Sequence, residues 1–131
     1  MNNIQSIEHY LSLIKTAVDD HPNVTKVLLI VPESAGDIFL CTSLLKSIKQ
    51  TYEPCHIYFA CYSQYFSILK NNPFIYKTIE YLPIMDNTVL MEGIGTWKGL
   101  FDVAIVVTAL TQKITNYVHN GIGKVQFNLK M

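Results

Sequence analysis

A chain of 131 residues is one domain's worth, and half of those residues are apolar while only 15% are charged. Ten basic residues balance ten acidic ones, so the chain has no broad positive field for nucleic acid. No apolar run approaches the roughly 18 residues that cross a bilayer, and no basic segment followed by a long apolar one marks a signal peptide.

The elements follow in chain order. Ile4, Ile7, Leu11, Ile14 and Val18 recur at three- and four-residue spacing, with Tyr10 and Ala17 widening the stripe. This pattern predicts an amphipathic helix that packs on the rest of the domain through Ile7, Leu11 and Ile14 and stops at Pro22. Residues 26–31 form a continuous β-rich run, apolar on both faces, which is the pattern of a central parallel strand. Residues 32–36 read as a tight loop. A helix is expected over 37–50, burying Ile38, Leu40, Cys41, Leu44, Leu45 and Ile48.

Further strands are expected at 56–61 and 77–81, with a short helix at 64–70 between them. Residues 85–99, with Gly93, Gly95 and Gly99, read as a long irregular connection. A fourth strand is expected at 102–107, adjacent to the first and as central as it, a helix at 111–118 and a fifth strand at 124–127. Alternating strands and helices build right-handed βαβ units. The expected fold is α/β, a Rossmann-like three-layer α/β/α domain over 24–131. It would have a parallel sheet of order 3-2-1-4-5, preceded by the N-terminal amphipathic helix of residues 1–23.

In such sheets ligands bind outside the carboxyl ends of the strands, where the strand order reverses. That point lies between the loop at 32–36 and Thr108, Ala109 and Leu110. Gly36 would let the backbone turn tightly or approach a ligand. Asp37, placed at the start of the following helix, has three readings: an N-cap, a general base for an acceptor hydroxyl, or a group that orients that hydroxyl. Ser34 serves a local turn or contacts a ligand.

Other chemistries lack their signatures. No G-x-G-x-x-G follows the first strand and no P-loop is present. His9, His21, His56 and His119 are far apart in sequence, without carboxylate partners. Cys41, Cys55 and Cys61 have no metal spacing and read as free thiols in a reducing, cytoplasmic setting. No metal or cofactor is expected. Trp97, among glycines, either anchors the irregular connection or offers a platform for a sugar ring.

Residues 27–48, VLLIVPESAGDIFLCTSLLKSI, resemble the opening of the family 9 glycosyltransferases, the heptosyltransferases. Those begin with an apolar strand, a loop ending Gly-Asp and a helix with a Leu-Thr-Thr-Pro-x-Leu type start. Gly36 and Asp37 stand at the Gly-Asp, and Leu40, Cys41, Thr42, Ser43, Leu44 and Leu45 at the helix start. HIYFA at 56–60, Asn72-Pro73 followed by KTIE at 77–80, and FDVAI at 101–105 continue the resemblance in order.

The resemblance implies the acceptor-side half of a two-domain GT-B enzyme. A saccharide or lipid-linked acceptor would lie by Ser34, Gly36 and Thr42, with Asp37 as the base. The nucleotide-sugar donor would be held by a second domain that this chain lacks, leaving the isolated half inactive. The chain departs from the family in two places. Val31 stands where members often carry Arg or Lys, with Glu33 adding a negative charge nearby, and Ser43 replaces the helix proline. The alternatives are a non-catalytic interaction module, partnered by another copy or another protein, and a small-ligand-binding flavodoxin-like domain.

Overall fold

The computed structural model describes the backbone of residues 3–107, and the side chains of 7–107 apart from Trp97. The expected helix at 111–118, the fifth strand at 124–127, the loop residues Thr108, Ala109 and Leu110, His119 and the role of the Trp97 side chain lie outside the described residues.

Helix α1 spans Asn3–Ala17. Strand β1 spans Thr25–Ile30, β2 Cys55–Cys61 and β3 Lys77–Glu80. Two short strands, β4 at Gly93–Ile94 and β5 at Trp97–Lys98, precede β6 at Val103–Val106. β3, β2, β1 and β6 form one sheet in that order, and every pair in it is parallel. Val27 of β1 is in register with Ile57 of β2 and Val103 of β6. The domain is therefore a Rossmann-like α/β fold, and the first four positions of the expected strand order are found.

The pleat sends alternate side chains to opposite faces, and both faces are covered. Val27, Leu29, Val31, Ile57, Phe59 and Cys61 pack under three short helices: α2 (Ala35–Cys41), α3 (Leu45–Thr51) and α4 (Phe66–Leu69). Leu28, Ile30, Tyr58 and Ala60 pack on the other face under Ile14 of α1 and Met85 and Met91. Met91 belongs to α5, Thr88–Glu92. Strands sandwiched this way read as unbroken apolar runs. That is why 27–31 carries five apolar residues in a row, all fully buried.

Four expectations change. First, α1 docks through Ile14, which is 3% exposed, with Leu11, Ala17 and Val18 beside it, whereas Ile7 is 36% exposed and faces outward. Second, the helix expected over 37–50 is two helices, α2 and α3, joined by a 3-10 turn at Thr42–Leu44. The Thr42 and Ser43 hydroxyls donate back to the carbonyls of Phe39 and Leu40, at 2.6 and 2.7 Å. The stripe that packs on the sheet keeps helical spacing through this turn, at Ile38, Cys41, Leu45 and Ile48. Leu40 and Leu44, expected inside, are 68% and 38% exposed, and Phe39 is 68% exposed.

Third, β6 lies beside β1 as expected but is at an edge of the four-stranded sheet among the described residues, and its residues are all half-buried. The Glu92 carboxylate accepts the outward Ala104 N–H at 2.6 Å, so a side chain takes the place of a neighbouring strand there. Fourth, the connection over 85–99 is ordered into the end of a 3-10 turn at Pro83–Asp86, helix α5 and the antiparallel β4–β5 hairpin. Gly93 and Gly95 have positive φ, 91° and 62°. At Gly99 a β-carbon would lie 2.1 Å from the Met91 carbonyl oxygen, so only glycine lets this segment close on α5.

Candidate functional site at the carboxyl end of the sheet

β1 runs out into the segment that leads to α2, beside the carboxyl end of β6, where the strand order reverses. Helix α2 begins at Ala35, with Ser34 as its N-cap in an extended conformation (φ −74°, ψ 172°). Asp37 is therefore the third helical residue and not the cap. Its Oδ2 accepts the Ser34 hydroxyl at 2.9 Å and the Ser34 N–H at 3.3 Å, the N-cap to N3 pairing of a capping box. The Ser34 carbonyl accepts the Ile38 N–H at 3.1 Å, closing the first turn.

Two of the other expected site residues change meaning. Gly36 sits in the first turn of α2, where an added β-carbon would meet nothing nearer than the Ser34 hydroxyl at 4.0 Å. The backbone does not require glycine there, and the exposed position leaves open space over the turn. Thr42 lies a full helix beyond the loop, with its hydroxyl engaged by Phe39. The structure thus brings Ser34, Gly36 and Asp37 into one turn and leaves Thr42 apart.

Residues not singled out from sequence complete this end of the sheet. Tyr62 follows β2 and Tyr81 follows β3; their rings meet edge-on with centroids 5.4 Å apart. The Tyr81 hydroxyl donates to Asp86 Oδ2 at 2.8 Å. Burial first, then that bond and the charges of Asp86, Tyr62 and Glu33, push the Tyr81 phenol well above its ordinary range. Glu80 Oε2 accepts the Ser63 N–H at 3.0 Å. The shared signal in the sequence is positional: each follows or ends a strand.

The carboxyl end is thus acidic and aromatic, with Glu33, Asp37, Glu80 and Asp86 beside Tyr62 and Tyr81. Lys26 and Lys77 sit near the amino ends of their strands, and the Lys49 ammonium donates to the Cys55 carbonyl at the start of β2. The chain contains no arginine.

No nucleophilic thiol serves this site. Cys41, Cys55 and Cys61 are free and buried. Burial, and then the Asp37 charge, push the Cys41 thiol up to about 11, and burial followed by the Glu80 charge pushes Cys61 to about 12. No group of three or more metal-ligating side chains occurs among the described residues. No described helix is long and apolar enough to cross a membrane.

Fold and site together define an α/β domain of Rossmann-like topology, with carboxylates and tyrosines at the carboxyl end of its parallel sheet. No family model, no curated protein and no solved structure matches the chain.

Proposed function

We propose that this domain is the acceptor-side half of a heptosyltransferase-like glycosyltransferase, binding a hydroxyl-bearing acceptor over the Ser34–Asp37 turn, with Asp37 as general base. The observation that carries the reading is the half-buried Asp37 carboxylate at the strand-order reversal. Among the described residues only its Oδ2 is engaged, by Ser34 of its own turn. Oδ1 is left to accept a hydroxyl, and a carboxylate so placed takes the proton as the oxygen bonds to the sugar carbon and that carbon's bond to the donor's diphosphate breaks, releasing the nucleoside diphosphate. In this reading a second domain holds the nucleotide-sugar donor, because transfer needs both substrates in line. Tyrosine rings and carboxylates suit a neutral saccharide, whose apolar face stacks and whose hydroxyls donate. With Val31 and Glu33 beside the turn and no arginine, a phosphorylated acceptor is the poorer fit.

The test is a transfer assay with a donor domain supplied in cis or in trans. Asp37→Asn should keep the fold and lose transfer by about 10²–10⁴-fold, the usual contribution of a general base. Full activity in Asp37→Asn would remove the base role. Acceptor saccharides titrated into the isotopically labelled chain should shift the amides of 33–38; no response from any would sink the acceptor reading.

One observation favours a second reading, a non-catalytic interaction module. Phe39 and Leu40 of α2 are each 68% exposed, and Leu44 of the 3-10 turn that follows is 38% exposed. In that case the acceptors leave 33–38 unmoved, and a Leu40→Lys variant alters association without altering stability.

A further inference from the structure

The opposite, amino end of the sheet carries a second cluster of titratable side chains. Tyr76, just before β3, stacks on His56 of β2 with ring centroids 3.8 Å apart and planes 3° from parallel. His21 meets both rings edge-on, and its Nε2 lies 3.2 Å from the Tyr76 hydroxyl. That hydroxyl donates to Asp19 Oδ2 at 2.5 Å. Lys77 Nζ reaches Asp19 Oδ1 and the Ala17 carbonyl, each at 3.2 Å. The Asp19 N–H donates to the Tyr58 hydroxyl at 3.0 Å. Asp19 lies two residues beyond the last residue of α1, so these bonds fasten the carboxyl end of α1 to the sheet.

His56 suits this arrangement only while neutral. Its Nδ1 is buried without a hydrogen-bond partner. An unprotonated nitrogen there forgoes one acceptor bond, whereas a protonated ring buries a charged donor with nothing to receive it. Of the groups around the ring, His21 and Lys49 oppose the charge as well. Lys49 faces it from α3, Lys26 lies in register beside it on β1, His21 stands against it, and Tyr58, Tyr76 and Lys77 complete the surroundings. Asp19 is the anion that favours the charge, and it is already bound by Tyr76 and Lys77. Burial, followed by the charges of His21 and Lys49, holds His56 below its usual range.

We propose that this cluster is an acid-operated latch on α1: a proton on His56 parts Tyr76 from Asp19 and frees the helix from the sheet. A protonated His56 competes for the Asp19 carboxylate and needs water at Nδ1, and separating Asp19 from Tyr76 supplies both. Release uncovers the apolar face of Leu28, Ile30 and Tyr58 beneath Ile14. The latch does not depend on the acceptor reading of the other end.

Amide hydrogen exchange on the full chain between pH 7.5 and 5.5, with rates divided by the intrinsic rate at each pH, tests it. The α1 amides should open at least tenfold more at pH 5.5, while those of β1 and β2 stay protected. His56→Phe keeps a ring on Tyr76 but takes no proton, so its α1 protection should not vary with pH. Tyr76→Phe removes the Asp19 bond and should leave α1 open at both ends of the range. The proposal falls if α1 protection in the unaltered chain is the same at both pH values, or if α1, β1 and β2 open together. It also falls if His56→Phe retains the full pH dependence. Should His56→Phe not fold, His56→Gln, which also takes no proton, is read the same way.

Discussion

Asp37 binds Ser34 twice, its Oδ2 accepting the hydroxyl at 2.9 Å and the backbone N–H at 3.3 Å. The pair is a structural unit whatever else the carboxylate does. Ser34→Ala and Asp37→Ala should each cost about 1 kcal/mol, the usual worth of an N-cap interaction. The double variant should cost less than the sum, because each single change already breaks the shared bonds. Urea unfolding of the four proteins measures this; strict additivity would mean that the two side chains do not interact in solution. Asp37→Asn keeps an acceptor oxygen and gives up a charge near the start of α2, which costs about 0.3–1 kcal/mol.

Gly36 and Gly99 should respond in opposite directions to the same substitution. Gly36 is helical with open space around it, so Gly36→Ala should hold or raise stability, by about 0.4–1 kcal/mol. Gly99→Ala drives a β-carbon into the Met91 carbonyl and should cost about 1–3 kcal/mol or more. Thermal melts of the two variants separate the cases. If a ligand lies over the turn, Gly36→Ala also weakens its binding in a protein that is no less stable.

The docking of α1 rests on Ile14 rather than Ile7. Ile14→Ala should destabilise by about 2–5 kcal/mol, as deletion from a packed core does, because the side chain is 3% exposed. Ile7→Ala, at 36% exposure, should change stability by less than about 1 kcal/mol. Equal losses in denaturant titrations would contradict this placement of the helix.

Acid should destabilise the fold in two stages. His56 is held below its ordinary value of 6.5, so the unfolded chain binds the proton more readily. Its contribution is full above about pH 6.5 and falls as the pH drops from there towards its folded-state value. Asp19, held below 3.8 first by the Tyr76 hydrogen bond and then by Lys77, contributes above that value and is lost below it. Melting temperatures across pH 7.5 to 3 should show both declines. His56→Phe should remove the upper one and leave the lower.

The sequence alone determined the layered α/β class, the four long strands, their neighbours and the N-terminal helix. The reason is that burial on both faces writes itself into a strand such as 27–31 as an unbroken apolar run, and right-handed crossovers leave few ways to order such strands. It also placed Asp37 at the reversal of strand order, since that position follows from the chain order of strand and turn. The tertiary structure decided what periodicity cannot carry. Leu40 and Leu44 point outward because the stripe that packs on the sheet is the narrower one of Ile38, Cys41, Leu45 and Ile48. Gly99 is required because the β4–β5 hairpin folds it back onto the Met91 carbonyl, which occupies the place of its side chain. His21, His56 and Asp19, which look unrelated in the sequence, meet only when β1 and β2 pair and Tyr76 is drawn over them. Contacts between residues far apart in the chain depend on register and packing, and no local spacing records them.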